Sequence, residues 1–129
     1  MLLLDTDIVI DLLRGYSPAI NWLAGRTGEE LYLPGFVVME LLQGCSNRYE
    51  MVAVQKFIGP FPLLWPSSDV ADQALSIYAE GRLTHNLGIL DALIGQLAVS
   101  MDVPLHTFNQ KHFAAVPRLR TMQPYARGQ

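Results

Sequence analysis

The feature that most constrains the fold is an alternation of short apolar segments with longer helical ones. Apolar runs typical of buried strands occur at 2–4, 31–33, 63–65 and 103–107, and 120–123 is a candidate fifth strand. Apolar residues at helical spacing fill the segments between them, most clearly in the stripe of Leu90, Leu93, Ile94, Leu97, Ala98 and Met101. Because strands joined through helices run parallel, this order predicts an α/β protein with a mainly parallel sheet of four or five strands.

Capping and breaking residues set the expected limits of the helices. Helices are predicted over 6–13, 36–44, 47–57 and 90–101, and two more begin at Pro18 and Ser67. The helix that begins at Pro18 is expected to bury Ile20, and Asn47 is expected to cap the helix that follows it. No internal repeat or linker interrupts the 129 residues, so a single domain is expected over residues 1–129.

Composition and the first residues indicate the compartment. The apolar start of the chain is broken by Asp5 and Asp7, so neither a secretory signal nor a membrane span is expected. Cys45 is the single cysteine, which excludes an intramolecular disulfide and fits a reducing cytoplasm. Half of the residues are hydrophobic and only 16% are charged, which excludes a disordered or low-complexity chain.

The formal net charge of −3 argues against a nucleic-acid partner, because phosphate binding is mainly electrostatic. The charge is distributed unevenly, however. All twelve acidic residues lie between Asp5 and Asp102, whereas residues 103–129 carry four basic residues and no acidic one. Such a distribution is typical either of an interaction surface or of a solvated basic end.

Polar residues lie where the predicted strands end. Asp5 directly follows the first strand, and Asn109 comes two residues after the fourth. Glu40 lies within the helix after the second strand, and Asp91 lies in the first turn of the striped helix. Because the carboxyl ends of parallel strands share one edge of the sheet, these four side chains are expected to meet there.

Three carboxylates at one edge indicate a cation site. Asp5 could instead cap the first helix, and Asp91 could interact with a helix dipole, but Glu40 lies mid-helix between apolar neighbours. Carboxylates that face one another repel, raise one another's pKa and favour a bound cation. Oxygen ligands favour Mg²⁺ or Mn²⁺, and the three histidines lack the spacing of a zinc site.

Four segments of the chain resemble the PIN-domain family, and within it the VapC-type toxins of toxin–antitoxin pairs. They are LLLDTDIVIDLL at 2–13, VVMELLQG at 37–44, LDALIGQLA at 90–98 and LHTFNQKHF at 105–113. The resemblance implies a three-layer α/β/α fold and a Mg²⁺- or Mn²⁺-dependent endoribonuclease that cuts structured RNA such as tRNA or rRNA. It also implies a homodimer that is inhibited by a cognate antitoxin.

The resemblance also assigns site residues by position. Asp5, Glu40 and Asp91 match the catalytic acidic residues of the metal site, and Asn109 matches a fourth metal position that is often Asp. Phe108 departs from the pattern, because a basic residue is common there. Supporting roles are expected for Thr6, Asp7 and Thr107. The basic residues expected to hold the RNA backbone against the acidic site are Arg14, Lys111, Arg118 and Arg120.

Two other functions are open at this point. The DTD sequence at 5–7 also resembles the DxD motif of haloacid-dehalogenase-type phosphatases, with Asp5 as nucleophile and Asp7 as acid/base, although no adjacent acidic pair follows residue 30. A non-catalytic α/β binding module with a vestigial metal site is the other alternative, and Phe108 and Asn109 are the residues that favour it.

Overall fold

The structure, a computed structural model, describes residues 1–127 and is built on a central parallel sheet. Its strands are β1 (Leu2–Leu4), β2 (Leu31–Pro34), β3 (Leu63–Leu64), β4 (Leu105–His106) and β5 (Thr121–Met122). Their spatial order is β3-β2-β1-β4-β5, and each neighbouring pair is parallel. The predicted α/β class with a mainly parallel sheet of four or five strands is confirmed.

Helices follow each of the first three strands. They are α1 (Thr6–Leu13), α2 (Ser17–Ala24), α3 (Gly35–Gln43), α4 (Arg48–Ile58), α5 (Ser68–His85) and α6 (Ile89–Met101). Side chains cap several of them as the sequence predicts: Asn47 accepts from the backbone N–H of Glu50 at the start of α4. The predicted helix limits therefore agree with the structure to within a few residues, and the helix predicted to begin at Ser67 ends at His85.

The order of the strands creates a switch point in the sheet. The chain runs outward from β1 through β2 to β3 and then returns to place β4 and β5 on the other side of β1. Because such crossovers are right-handed, the reversal puts the helices on both faces and gives three layers, α/β/α. Parallel sheets of this kind bind ligands at the carboxyl edge beside the switch point, which here lies between β1 and β4.

The centre of the sheet is also the centre of the core. Leu2, Leu3 and Leu4 are each at most 1% exposed, which explains why β1 is apolar at every position. The prediction that Ile20 is buried is wrong: it is 43% exposed, because α2 turns Ala19 inward instead. Among residues 1–127, no helix has the length and apolar character that crossing a membrane requires.

Candidate active site

Asp5 lies at the switch point and is held by two elements at once. Its backbone N–H donates to the carbonyl of His106, which extends the pairing of β1 with β4 by one residue (3.0 Å). Its Oδ1 accepts from the backbone N–H of Thr6 and so caps α1, while its Oδ2 accepts from the Thr107 hydroxyl, each at 2.8 Å. One carboxylate therefore caps α1 and also lies at the edge of the sheet where the sequence predicted it.

Asp7 ties α1 to the loop after β4. Its Oδ2 accepts from the backbone N–H of Phe108 at 2.9 Å and, more weakly, from the Thr107 hydroxyl at 3.4 Å. The Thr107 oxygen in turn accepts from the backbone N–H of Asn109 at 3.0 Å. Asp7 and the wholly buried Thr107 thus fix the loop that carries Asn109 beside Asp5.

Glu40 and Asp91 lie at the same edge, on α3 and α6. The Thr6 hydroxyl donates to Glu40 Oε1 at 2.8 Å, which joins the start of α1 to α3. Asp91 Oδ2 lies 3.9 Å from His112 Nδ1. Glu40 and Asp91 both line one open cleft of about 500 Å³, whose other polar lining residues include Arg82.

The electrostatics of this edge disfavour four negative charges. Burial, together with the neighbouring Asp7, raises the pKa of Asp5 from 3.8 to about 7. Burial also raises the pKa of Asp7, Glu40 and Asp91. Repulsion from Asp91 and Asp7 adds to the effect at Glu40, so its carboxylate lies within electrostatic range of both.

The acidic side chains lie along one edge of the sheet but do not form a ready-made metal-binding group. Among residues 1–127, no three His, Cys, Asp or Glu side chains make a group that could already hold a metal ion. Glu40 instead accepts a hydrogen bond from Thr6, and Asp91 lies near His112. Asn109 is exposed, and its backbone contributes the bond to Thr107 described above.

The basic residues predicted to hold RNA separate into two groups. Arg14 lines a groove with Glu40 along α1, α3 and α4, and Lys111 directly precedes His112 in the loop after β4. Arg118 and Arg120 line a small cavity with Asp102, which caps the far end of α6. Asp91 lies in the first turn of α6 and Asp102 caps its other end, so the two are about 16 Å apart along the helix and the structure does not bring Arg118 and Arg120 to the site.

Sequence reasoning missed three residues near the carboxylates. Arg82 lies at the end of α5 in the cleft of Glu40 and Asp91, and His112 faces Asp91. The guanidinium of Arg127 lies 4.0 Å from the centre of the Phe108 ring. The only signal for Arg127 was the excess of basic residues after residue 102, which does not distinguish it from the others.

Comparisons with known proteins identify the family of this chain. The sequence model of the PIN domain matches residues 2–119, and the chain belongs to the PIN-domain family. Ribonuclease VapC19 of Mycobacterium tuberculosis is 32% identical over 93% of this chain and 98% of its own length. Ribonuclease VapC10 of the same organism is 30% identical over 93% of this chain and 91% of its own. The predicted resemblance to VapC-type proteins is confirmed, and membership of this family removes the basis for the phosphatase alternative.

Solved structures support the same fold. A toxin–antitoxin complex from Klebsiella pneumoniae contains a chain that is 26% identical with a TM-score of 0.76, over 97% of this chain and 98% of that one. VapBC2 from Rickettsia felis, bound to a DNA fragment from its promoter, matches with a TM-score of 0.79 at 19% identity, over 93% and 96%. The predicted three-layer PIN-like fold is therefore confirmed.

Proposed function

We propose that this chain is a divalent-metal-dependent endoribonuclease and the toxin of a toxin–antitoxin pair. The observation that carries the proposal is the placement of Asp5, Glu40 and Asp91 at the switch point between β1 and β4. Relatives named ribonucleases, and a similar chain in a toxin–antitoxin complex, support RNA as substrate and an antitoxin as partner. We expect structured RNA such as tRNA or rRNA as the target, a homodimer, and activity in the cytoplasm, where the free Cys45 thiol is stable.

The donor set fits Mg²⁺ or Mn²⁺. It consists of carboxylate oxygens, the ligands that hard divalent cations prefer. Burial is the main cause of the raised pKa values of Asp5, Glu40 and Asp91, and a bound cation would favour their charged forms. Since these carboxylates repel one another, we propose that Glu40 gives up its bond with Thr6 when the cation binds, and that Asn109 completes the oxygen set.

Each residue has a defined task in such a site. Asp5, Glu40 and Asp91 would hold the divalent cation, which would supply a lowered pKa for the attacking water and neutralisation of the phosphate charge. Asp5 is the fixed ligand, because the Thr107 hydroxyl and the Thr6 N–H hold its carboxylate in place. Glu40 and Asp91 line the open cleft, where either side chain can orient the attacking water. Of the predicted basic residues, we assign the attraction of the RNA backbone to Arg14, which shares a groove with Glu40, and to Lys111, which precedes His112.

The nuclease proposal is tested with purified protein, a mixture of tRNA and rRNA, and Mg²⁺. We expect cleavage that stops when EDTA is added and that Asp5→Asn abolishes. Intact RNA after incubation of the wild type with Mg²⁺ and with Mn²⁺ would contradict the nuclease and leave the non-catalytic binding module.

The toxin proposal is tested in cells. Expression of the wild-type chain should arrest growth, and co-expression of the protein encoded in the neighbouring reading frame should relieve the arrest. Asp5→Asn should be harmless. Unimpaired growth with full expression of the wild type would contradict a toxin even if RNA cleavage is observed in vitro.

A further inference from the structure

The segment that follows β5 folds back over α1 and the loop after β4. The Tyr125 hydroxyl donates to Asp11 Oδ2 at 2.7 Å, and its ring lies 5.0 Å from that of Phe108 in an edge-to-face contact. Two residues later, Arg127 Nε and a terminal nitrogen approach the same Asp11 oxygen at 3.2 and 3.1 Å. Asp11, Phe108 and Tyr125 together fix the position of the Arg127 guanidinium.

This position is beside the carboxylates. Phe108, which the guanidinium covers, directly follows Thr107, whose hydroxyl donates to Asp5 Oδ2. The backbone N–H of Phe108 donates to Asp7 Oδ2, and Arg127 lies within electrostatic range of that carboxylate. Arg127 of the C-terminal segment therefore brings a positive charge to the edge of the sheet where Asp5 lies.

The Arg127 side chain is held but not enclosed. Its side chain is 43% exposed, whereas that of Asp11 is only 14% exposed. A guanidinium has five N–H donors in one plane, and the single Asp11 oxygen engages only one edge of the group. Stacking on an aromatic ring restricts the plane further, which suits a guanidinium for phosphate recognition.

We propose that Arg127 binds a phosphate of the RNA substrate next to the carboxylate site. Its cation over Phe108 offsets the repulsion between the acidic edge and the RNA backbone, while Asp11 and Phe108 keep the guanidinium in a fixed orientation. The inference rests on the proposed function for its substrate class. It gives the C-terminal segment a role in substrate binding that is separate from the chemistry.

The test measures binding of a non-cleavable 2′-O-methyl RNA hairpin in Mg²⁺ at several salt concentrations. Arg127→Gln should weaken binding on the order of tenfold and lower the salt slope by about one, and Arg127→Lys should restore part of the affinity. Arg120→Gln is the matched control, because Arg120 is also exposed but pairs with Asp102 at the far end of α6. Equal affinities for Arg127→Gln and Arg120→Gln would overturn the inference.

A second variant separates phosphate binding from a structural tie to α1. Asp11→Asn keeps a side-chain oxygen that can accept from Arg127 but removes the negative charge beside it, so this variant should bind the hairpin at least as tightly as the wild type. If Asp11→Asn and Arg127→Gln lose the same affinity, Arg127 acts only as a tie. In cleavage, Arg127→Gln should raise KM and leave kcat within about twofold.

Measuring RNA binding and RNA cleavage separately distinguishes the nuclease proposal from the proposal that Arg127 binds phosphate. A wild type that binds the hairpin through Arg127 but cuts no RNA would contradict the nuclease and leave the inference standing. A wild type that cuts RNA with the same KM as Arg127→Gln would contradict the inference alone.

Discussion

At the residue scale, Asp5 is the most constrained side chain of the site. It is 5% exposed, and both of its carboxylate oxygens accept hydrogen bonds, yet burial still raises its pKa to about 7. A buried acid with a pKa raised this far is typical of a functional site. The sequence located Asp5 correctly, because a residue directly after an apolar strand can only lie at the edge of the sheet.

This pKa gives a prediction for the metal-free protein. Between pH 3.8 and about 7, Asp5 holds its proton in the folded state but not in the unfolded state, so the free energy of unfolding should fall as the pH rises. From pH 5 to pH 7 the Asp5 contribution should be about 2 kcal/mol. Urea unfolding in EDTA at the two pH values measures it, and Asp5→Asn should remove that part. A stability that rises over this range in the wild type, or a decrease that Asp5→Asn leaves unchanged, would contradict the assignment.

Thr107 carries the second prediction at this scale. Its buried hydroxyl donates to Asp5 and accepts from the N–H of Asn109, so Thr107→Val leaves both groups without their partner. We expect kcat/KM for RNA cleavage to fall at least tenfold and stability to fall by about 1 to 3 kcal/mol. Thr107→Ser keeps the hydroxyl and should recover most of the activity. Equal activities of the Val and Ser variants would show that the hydroxyl does not position Asp5.

At the scale of elements, capping residues predicted where helices begin more reliably than hydrophobic periodicity predicted which side chains are buried. The start of α4 follows from Asn47, whose side chain accepts from the Glu50 N–H while Glu50 Oε1 accepts from the Ser46 N–H, each pair within 2.8 Å. The burial of Ile20 was predicted wrongly, because periodicity indicates a helix but not which of its faces the neighbours cover.

The capping interaction at α4 is testable by itself. Asn47→Ala removes the acceptor for the Glu50 N–H and should lower the free energy of unfolding by about 1 kcal/mol. Asn21→Ala is the matched control, since Asn21 is exposed within α2 and alanine is the better helix former there. Urea denaturation compares the two variants, and equal midpoints would show that the cap contributes nothing.

At the scale of the whole molecule, the sequence predicted the sheet and its acidic edge but not the distribution of positive charge. The excess of basic residues after residue 102 looks like one surface, yet β4 and β5 carry them to opposite ends of the sheet. Arg120 lies by Asp102 at one end, and Arg127 lies over Phe108 at the other. Which end a basic residue reaches depends on where the chain turns after each short strand, and local sequence does not specify that.

The net charge of −3 is therefore no argument against an RNA partner. The acidic edge is where a cation would bind, and the exposed Arg127 lies next to it. Phosphate binding depends on the local electrostatic potential at the site with its ion bound, and not on the net charge of the whole chain.

The central claim, that the carboxylate edge uses a divalent cation to cut RNA, is tested most directly by the Mg²⁺ dependence of the cleavage rate. The wild type should rise from no cleavage in EDTA to a saturating rate, and Asp91→Asn should stay at least a hundredfold lower at every concentration, as expected when a catalytic ligand is lost. Asp69→Asn should follow the wild type, because Asp69 is exposed in the first turn of α5, at the end away from the cleft. Cleavage that is independent of Mg²⁺, or an Asp91→Asn curve that matches the wild type, would contradict the account.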